Sequence, residues 1–388
     1  DFRAPTTFAP PQKSFTVLLP ARHEEEVIQD TIQGVLNANY PRELLEVAVI
    51  LRIDDTGTIE KVQEKIAQLA AQGVDNVRMI IFQDYPINKP HGLNVGFRYT
   101  RNEVVTIFDA EDQVHPDVFN VVNTVMVNEG VNVVQSGVQL MNWDSKWFSA
   151  LNVLEYFFWF KSRLHYHARA GIIPLGGNTI FFTRKILEKI GGWDEHCLTE
   201  DADIGIRLSE MGERVRVVYE DALVTKEETP PTVQQFIKQR TRWNQGFLQV
   251  LQAGAYWRLP KLSQRLLALY TLSSPVQQAL TALYLPVSIY TMFFVKMPPL
   301  IALLLWLPMY MLFGQYLINL TGLREFARAH GFRLSRTTWL KLLLAFYPFQ
   351  VLLGVSALRA VVRHLQGANN WEKTKHVNAH RGAVVGNS

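Results

Sequence analysis

The sequence predicts an α/β domain built on a parallel sheet, followed by a C-terminal region of apolar, membrane-spanning helices. Two observations carry this reading. Short apolar runs alternate with helically spaced stretches from Phe15 to Asp109, and charged side chains vanish from long windows beyond Trp257. Residues 1–14 are Pro-rich and read as an arm. Phe15 to Leu19 is a strand-like run closed by Pro20, Val27 to Leu36 has helical spacing, and Leu45 to Ile53 is a second, β-branched run. The cycle repeats with a helix over about 59–72, a strand at 77–82, a helix from about 91 and a strand at 104–108 that stops at Asp109. Strands alternating with helices imply a parallel sheet covered on both faces. Ligands of such sheets bind beyond the carboxyl ends of the strands, so the polar residues directly after each strand are the candidates for chemistry.

The stretch from Trp147 to Ala170 is helical and crowded with aromatics, interleaved with Lys161, Arg163 and Arg169. It fits a helix at a membrane interface and an ordinary core helix equally well. His165 and His167 lie within it, but without a third histidine nearby and with Arg163 and Arg169 flanking, they mark a solvated or interfacial face rather than a zinc site.

No charged residue occurs between Arg265 and Lys296, nor between Lys296 and Arg324, and both gaps exceed the ~20 residues needed to cross a bilayer. Two transmembrane helices are expected there. A third uncharged run between Lys341 and Arg359 contains Pro348, Gln350, Gly354 and Ser356, which leaves spanning, re-entry and lying flat open for residues 342–358. Arg328, Arg333 and Arg336 mark the preceding loop as cytoplasmic, and the basic tail with Arg363, Lys373, Lys375 and Arg381 is expected on the same side. The chain opens on Asp1 rather than Met, which leaves room for upstream helices.

Across all 388 residues, 48% are hydrophobic and 19% charged. That is below the roughly 25% charged residues usual in soluble proteins, and the shortage is concentrated toward the C-terminus. A net charge of +4 suits an anionic partner. The single cysteine, Cys197, excludes an internal disulfide and a thiolate zinc site, and nothing supports redox chemistry.

Several polar groups fall where a parallel sheet would gather them. Strand ends deliver Pro20, Arg22 and Glu24, then the pair Asp54-Asp55, which suits hydrogen bonding to a base or ribose as well as an ordinary turn. Asp109 and Glu111 are spaced so that both carboxylates reach one site, and hard oxygen ligands suit magnesium or manganese; an exposed acidic turn is the alternative. Thr199-Glu200-Asp201 precedes a helical run, where a cap is the plainer reading. Gly177 and Asn178, before the run Thr179 to Thr183, permit close approach of an acceptor to the backbone or simply a tight turn. Arg242 could meet a diphosphate, and Trp243 could face a sugar or pack a loop.

Taken together and in order, Pro20-Ala21-Arg22-His23-Glu24, Asp54-Asp55, Lys89 to Asn94 (KPHGLN), Asp109-Ala110-Glu111, Thr199-Glu200-Asp201 and Gln239 to Trp243 (QRTRW) resemble the motifs of family 2 glycosyltransferases. The likeness is greatest to the membrane branch of cellulose, hyaluronan, chitin and curdlan synthases, and it runs from about residue 15 to 250. The resemblance implies a GT-A fold, which is Rossmann-like with a mostly parallel sheet. It puts Pro20, Arg22, Glu24, Asp54, Asp55, Lys89 and Asp109 at a nucleotide-sugar donor, with the two adjacent aspartates toward the nucleoside. It implies Mg2+ or Mn2+ on Asp109 and Glu111, where Glu111 replaces the family's second Asp and Asp112 competes for the role. Asp201, beside Glu200, takes the place of the catalytic base, and Gln239, Arg242 and Trp243 that of the diphosphate and acceptor motif. Trp371, Lys373 and Thr374 loosely resemble a gating loop.

The expected organisation is an arm at 1–14, a GT-A domain at 15–257, membrane helices at 258–364 and a basic tail at 365–388. The expected activity is inverting transfer of a sugar, with UDP-glucose favoured, to a growing β-glycan at the cytoplasmic face of the cell membrane. Transfer of one sugar to a lipid-linked or soluble acceptor is the second reading, and an inactive scaffold or transporter component the third. Membrane lipids are expected partners and nucleic acid is not.

Overall fold

The structure is a computed structural model that describes residues 3–368; Trp371, Lys373 and Thr374 lie outside the described residues. Its first half alternates as the sequence predicts: β1 (Phe15–Ala21), α1 (Ile28–Leu36), β2 (Leu45–Arg52), α2 (Thr56–Ala70), β3 (Val77–Phe82), α3 (Lys89–Arg98), β4 (Val104–Ile107) and α4 (Val118–Glu129). β1, β2 and β4 are buried almost throughout, as strands covered on both faces must be. There follow β5 (Val133–Ser136), β6 (Val138–Leu140), α5 (Ser149–Phe158), α6 (Leu164–Ala170), β7 (Ile180–Thr183), α7 (Arg184–Ile190), α8 (Glu200–Glu210), β8 (Val215–Val218), β9 (Thr225–Glu227) and α9 (Val233–Ala253).

Seven strands form one sheet in the order β3-β2-β1-β4-β7-β5-β8. All neighbours pair in parallel except β7, which runs antiparallel between β4 and β5. β6 and β9 pair in parallel as a second, small sheet, and Lys226 on β9 bridges to Gln113 in the turn after β4.

The aromatic stretch at 147–170 is a core element. Leu151, Leu154, Phe157, Phe160 and Leu164 are buried in the main cluster, and a π-helical turn at Trp159–Arg163 joins α5 to α6. His165 and His167 are buried rather than on a solvated face; burial pushes both down to about 4, so they are neutral at pH 7.

The C-terminal helices are α10 (Leu262–Leu272), α11 (Ser274–Phe294), α12 (Pro299–Leu305), α13 (Leu307–Ala329) and α14 (Arg336–Leu365). Here the structure reorders the expectation. Among the described residues one helix, α14, is long and apolar enough to cross a membrane, or two if α12 and α13 form one broken span. The stretch at 342–358 is therefore part of the strongest candidate, 30 residues long with Pro348 inside it. The expected second span is bent by 55° between α12 and α13. The expected first span, α11, has 21 residues, but Ser274, Gln277, Gln278 and Thr281 lower its apolar character. Large apolar side chains exposed on these helices include Phe293, Phe294, Leu300, Leu304 and Leu344. The other faces join the sheet's core: Phe326, Phe346 and Phe349 belong to the same buried cluster as Leu18, Ile107 and Phe157.

Candidate active site

One cavity of about 1630 Å³ opens at the carboxyl ends of β1 and β4. Its lining draws together Pro20, Arg22 and Glu24 after β1, Lys89 at the start of α3, Asp109 and Glu111 after β4, Gly177 and Asn178 before β7, Glu200 and Asp201 at the start of α8, and Gln239, Arg242 and Trp243 on α9. Asp54 and Asp55 do not line it. Asp54 is exposed beside Arg22 and Arg52, with the Arg52 Nε–Asp54 Oδ1 separation 3.1 Å. Asp55 is buried and caps α2: the His23 N–H donates to its Oδ2 at 2.7 Å and the Thr58 N–H to its Oδ1 at 3.4 Å. For Asp55 the turn-forming reading of the sequence is the one the geometry displays.

Lys89 sits at the centre of the cavity's charge. Its Nζ is 2.5 Å from Asp109 Oδ1 and donates to the Gly177 carbonyl at 3.2 Å. Burial would lower its pKa, but the fields of Asp109 and Glu200 outweigh that and hold it above the ordinary lysine value.

Glycine contacts fix where α8 begins. A Cβ on Gly205 would lie 2.2 Å from the Ile173 carbonyl oxygen, so α8 rests directly on the backbone that leads to Gly177. A Cβ on Gly246 would lie 2.3 Å from Thr199 Oγ1, so α9 locks against the residue just before Glu200. Thr199 is the N-cap of α8 but makes no side-chain capping bond. Glu200 and Asp201 occupy the first turn, where the helix dipole favours negative charge. Burial pushes Glu200 up to about 7; Lys89 pulls it down and Asp201 pushes it up. Asp201 is raised too, chiefly by burial, against backbone hydrogen bonding and the positive charges of Lys89 and Arg242. A Cβ built on Gly177 would sit 3.4 Å from Asp201 Oδ2, so the missing side chain leaves room beside that carboxylate.

On α9, residues 239, 242 and 243 share the face toward the cavity. Gln239 is buried, and among the described residues its Oε1 has no hydrogen-bond partner. The Trp243 ring stands 6.0 Å from that of Tyr156. Arg240 lies 4.9 Å over the Trp243 ring while pairing with Glu155 and donating to Asn152 Oδ1, so it ties the motif to α5.

The acidic group differs from the expected pair. Asp109, Asp112 and Glu227 bring carboxylate oxygens within 4.8 Å of one another, and Glu111, which also lines the cavity, is not part of that group. Asp112 is buried behind the lining; its Oδ2 accepts from the Asp109 N–H and from Asn178 Nδ2, each at 2.8 Å. Its Oδ1 has no hydrogen-bond partner among the described residues. Burial, then Glu227 and Asp109, raise its pKa well above the usual carboxylate range. An orphaned buried carboxylate oxygen among other carboxylates fits a hard divalent cation. Asn178, expected near the acceptor, instead spends its amide on Asp112 and Glu227. Sequence reasoning missed Glu227, Tyr156 and Arg240, since the motif spacing weights only its named positions.

A sheet that is parallel but for one strand, carrying acidic turns at its carboxyl edge, is the architecture of a GT-A glycosyltransferase. Residues 10–246 match the model of the glycosyltransferase like family 2, and the chain belongs to that family. It is 29% identical over 245 residues to a probable glycosyltransferase, YdaM, of Bacillus subtilis, which covers 60% of this chain and 54% of that protein. It is 29% identical over 234 residues to a beta-monoglucosyldiacylglycerol synthase of Nostoc (60% and 48% covered). It is 25% identical over 277 residues to a poly-beta-1,6-N-acetyl-D-glucosamine synthase of Staphylococcus epidermidis (70% and 63% covered). The chain spans about half the length of the first two of these relatives. Among solved structures, the mannosyltransferase PcManGT of Pyrobaculum calidifontis, in complex with GDP-Man and Mn2+, superposes with a TM-score of 0.54 at 20% identity. That superposition covers 94% of this chain and 91% of that one, and it shows the shared fold.

Proposed function

We propose that this protein transfers a sugar from a nucleotide diphosphate donor to an acceptor hydroxyl, with inversion, at the cytoplasmic face of a membrane. The observation that carries this is the convergence of the Lys89–Asp109 pair, the Glu200-Asp201 turn and the Gln239, Arg242 and Trp243 face on one cavity. Asp201 takes the proton from the acceptor hydroxyl as that oxygen attacks the anomeric carbon. The bond to the nucleoside diphosphate breaks, and its electron pair leaves with the diphosphate oxygen. Lys89 and Arg242 hold positive charge where that negative charge develops. Asp109, with the carboxylates around it, would hold Mg2+ or Mn2+, which supplies charge neutralisation at a diphosphate. Pro20, Arg22 and Glu24 line the donor end, and Asp54 pairs with Arg22 from outside the lining.

UDP-glucose is the favoured donor, in keeping with the glucosyl transfer named for one relative. The cavity exceeds the roughly 300–1,000 Å³ of common ligand pockets, which leaves room for an acceptor beside the donor. Beyond Trp243 it continues between α11, α13 and α14, where Gln278, Gln315 and Gln350 line it. Uncharged amides among apolar helices suit a hydroxyl-rich chain, which supports a growing β-glycan. The apolar partners Leu285, Met311 and Val351 on the same walls favour the second reading, one sugar added to a lipid-linked acceptor. α14, the bent α12–α13 pair and the apolar exposure around them support a membrane location.

The test is a panel of radiolabelled nucleotide sugars given to the purified protein with Mn2+ and lipid, followed by sizing of the product. Polymer supports the first acceptor and a single glycolipid the second. Absence of turnover with every donor overturns the proposal.

A further inference from the structure

We propose that Glu227, at the end of β9, is a further cation-holding residue of this site, and that Asn178 is the positioning residue that keeps it there. This rests on the reading that the cavity works with a divalent cation on Asp109.

Glu227 arrives at the acidic turn through backbone pairing rather than sequence proximity. β9 pairs with β6, and Lys226 exchanges two backbone hydrogen bonds with Gln113, each 3.0 Å, which ties β9 to the turn that carries Asp109 and Asp112. Asn178 Nδ2 then donates to Asp112 Oδ2 at 2.8 Å and to Glu227 Oε1 at 2.5 Å. One neutral amide thus spends both its protons holding two carboxylates that would otherwise repel. Asp112 is 2% exposed, and among the described residues its remaining oxygen, Oδ1, accepts no hydrogen bond. A buried carboxylate oxygen left this way is costly unless a cation completes it. Lys89 is committed elsewhere, to Asp109 and the Gly177 carbonyl. What the pocket provides is three oxygen-donor groups within 4.8 Å of one another, and hard oxygen donors of this kind select Mg2+ or Mn2+ over softer ions.

The experiment is calorimetric titration of Mn2+ into the full chain in detergent without donor. The proteins compared are wild type, Glu227→Gln, Asn178→Ala and an exposed control on α2, Glu60→Gln. Glutamine at 227 can still accept from Asn178, so folding is preserved while the charge is lost. The expected result is at least about tenfold weaker Mn2+ binding for Glu227→Gln and Asn178→Ala, with the control unchanged, the metal-free melting temperature of Glu227→Gln equal to or above wild type, and that of Asn178→Ala below it because two carboxylates lose their shared donor. Binding by Glu227→Gln within about twofold of wild type overturns the role of Glu227, while the cation reading on Asp109 stands. If wild type itself binds no Mn2+, both readings fall together.

Discussion

Glu200→Gln probes the electrostatics at the start of α8. The Glu200 carboxyl is pushed from an ordinary 4.5 up to about 7, mainly by burial; Lys89 opposes the rise and Asp201 adds to it. A displacement of that size corresponds to roughly 3 kcal/mol of differential interaction between the two protonation states. A carboxyl raised in the folded state favours folding most below its unfolded pKa, and that contribution is lost as pH rises through the folded value. Wild type should therefore lose roughly 3 kcal/mol relative to Glu200→Gln between about pH 4.5 and about pH 7. Below about pH 7 Glu200 is already largely neutral, so the acid limb of kcat set by Asp201 should keep its place in the variant. Denaturant unfolding of both metal-free proteins across this window, with a kcat–pH profile of each, measures both effects. A stability difference that stays flat from about pH 4.5 to about pH 7 refutes the assignment of a buried Glu200 with a raised pKa.

Asp201→Asn should lower transfer at least about a hundredfold while donor affinity, read by titration, is retained; full transfer removes Asp201 as the base. Gly246→Ala forces a methyl group against Thr199 and should cost roughly 1–3 kcal/mol in unfolding experiments, with activity falling further because Glu200 and Asp201 follow Thr199 directly. Lys89→Met leaves Asp109 without its ion pair and should raise the donor KM more than the acceptor KM; an unchanged donor KM contradicts its place at the donor. Trp243→Ala should show the reverse split in steady-state kinetics, raising the acceptor KM above all.

The first four strands and helices were legible in the sequence because each strand is a fully buried apolar run and each helix begins near a polar turn. β7 was visible only as a β-branched run; its antiparallel insertion between β4 and β5 depends on long-range pairing that local periodicity does not encode. Among the site residues, Asp109 and Glu200 were readable because a strand end and a helix start converge on one edge, whereas Lys89 came only from the resemblance to the family's motifs and Arg242 from a motif in the middle of α9. For Asp55 the sequence left the turn and the ligand readings both open, because a turn carboxylate and a ligand carboxylate look alike until the capping bonds are seen. Glu227 left no local signal, since its neighbours in space come from the turn after β4 and the loop before β7. For the first two apolar stretches of the C-terminal region the expectation of a span rested on missing charge and length. That measure overlooked the glutamines of α11 and the break between α12 and α13.

α9 ties the motif to the C-terminal bundle as a single beam 21 residues long, about 31 Å at the usual helical rise. One face presents Gln239, Arg242 and Trp243 to the cavity, while Phe236 packs on Phe349 with ring centres 5.5 Å apart. Thr241 donates to the Ser356 carbonyl at 3.4 Å, and Arg363 donates to Gln245 at 3.1 Å. Contacts of α9 with α14 therefore cross the point near Trp257 where the composition changes. A fragment ending there would keep the motifs from Pro20 to Trp243, yet the beam would lose its contacts with α14 and lay bare the flank around Phe236.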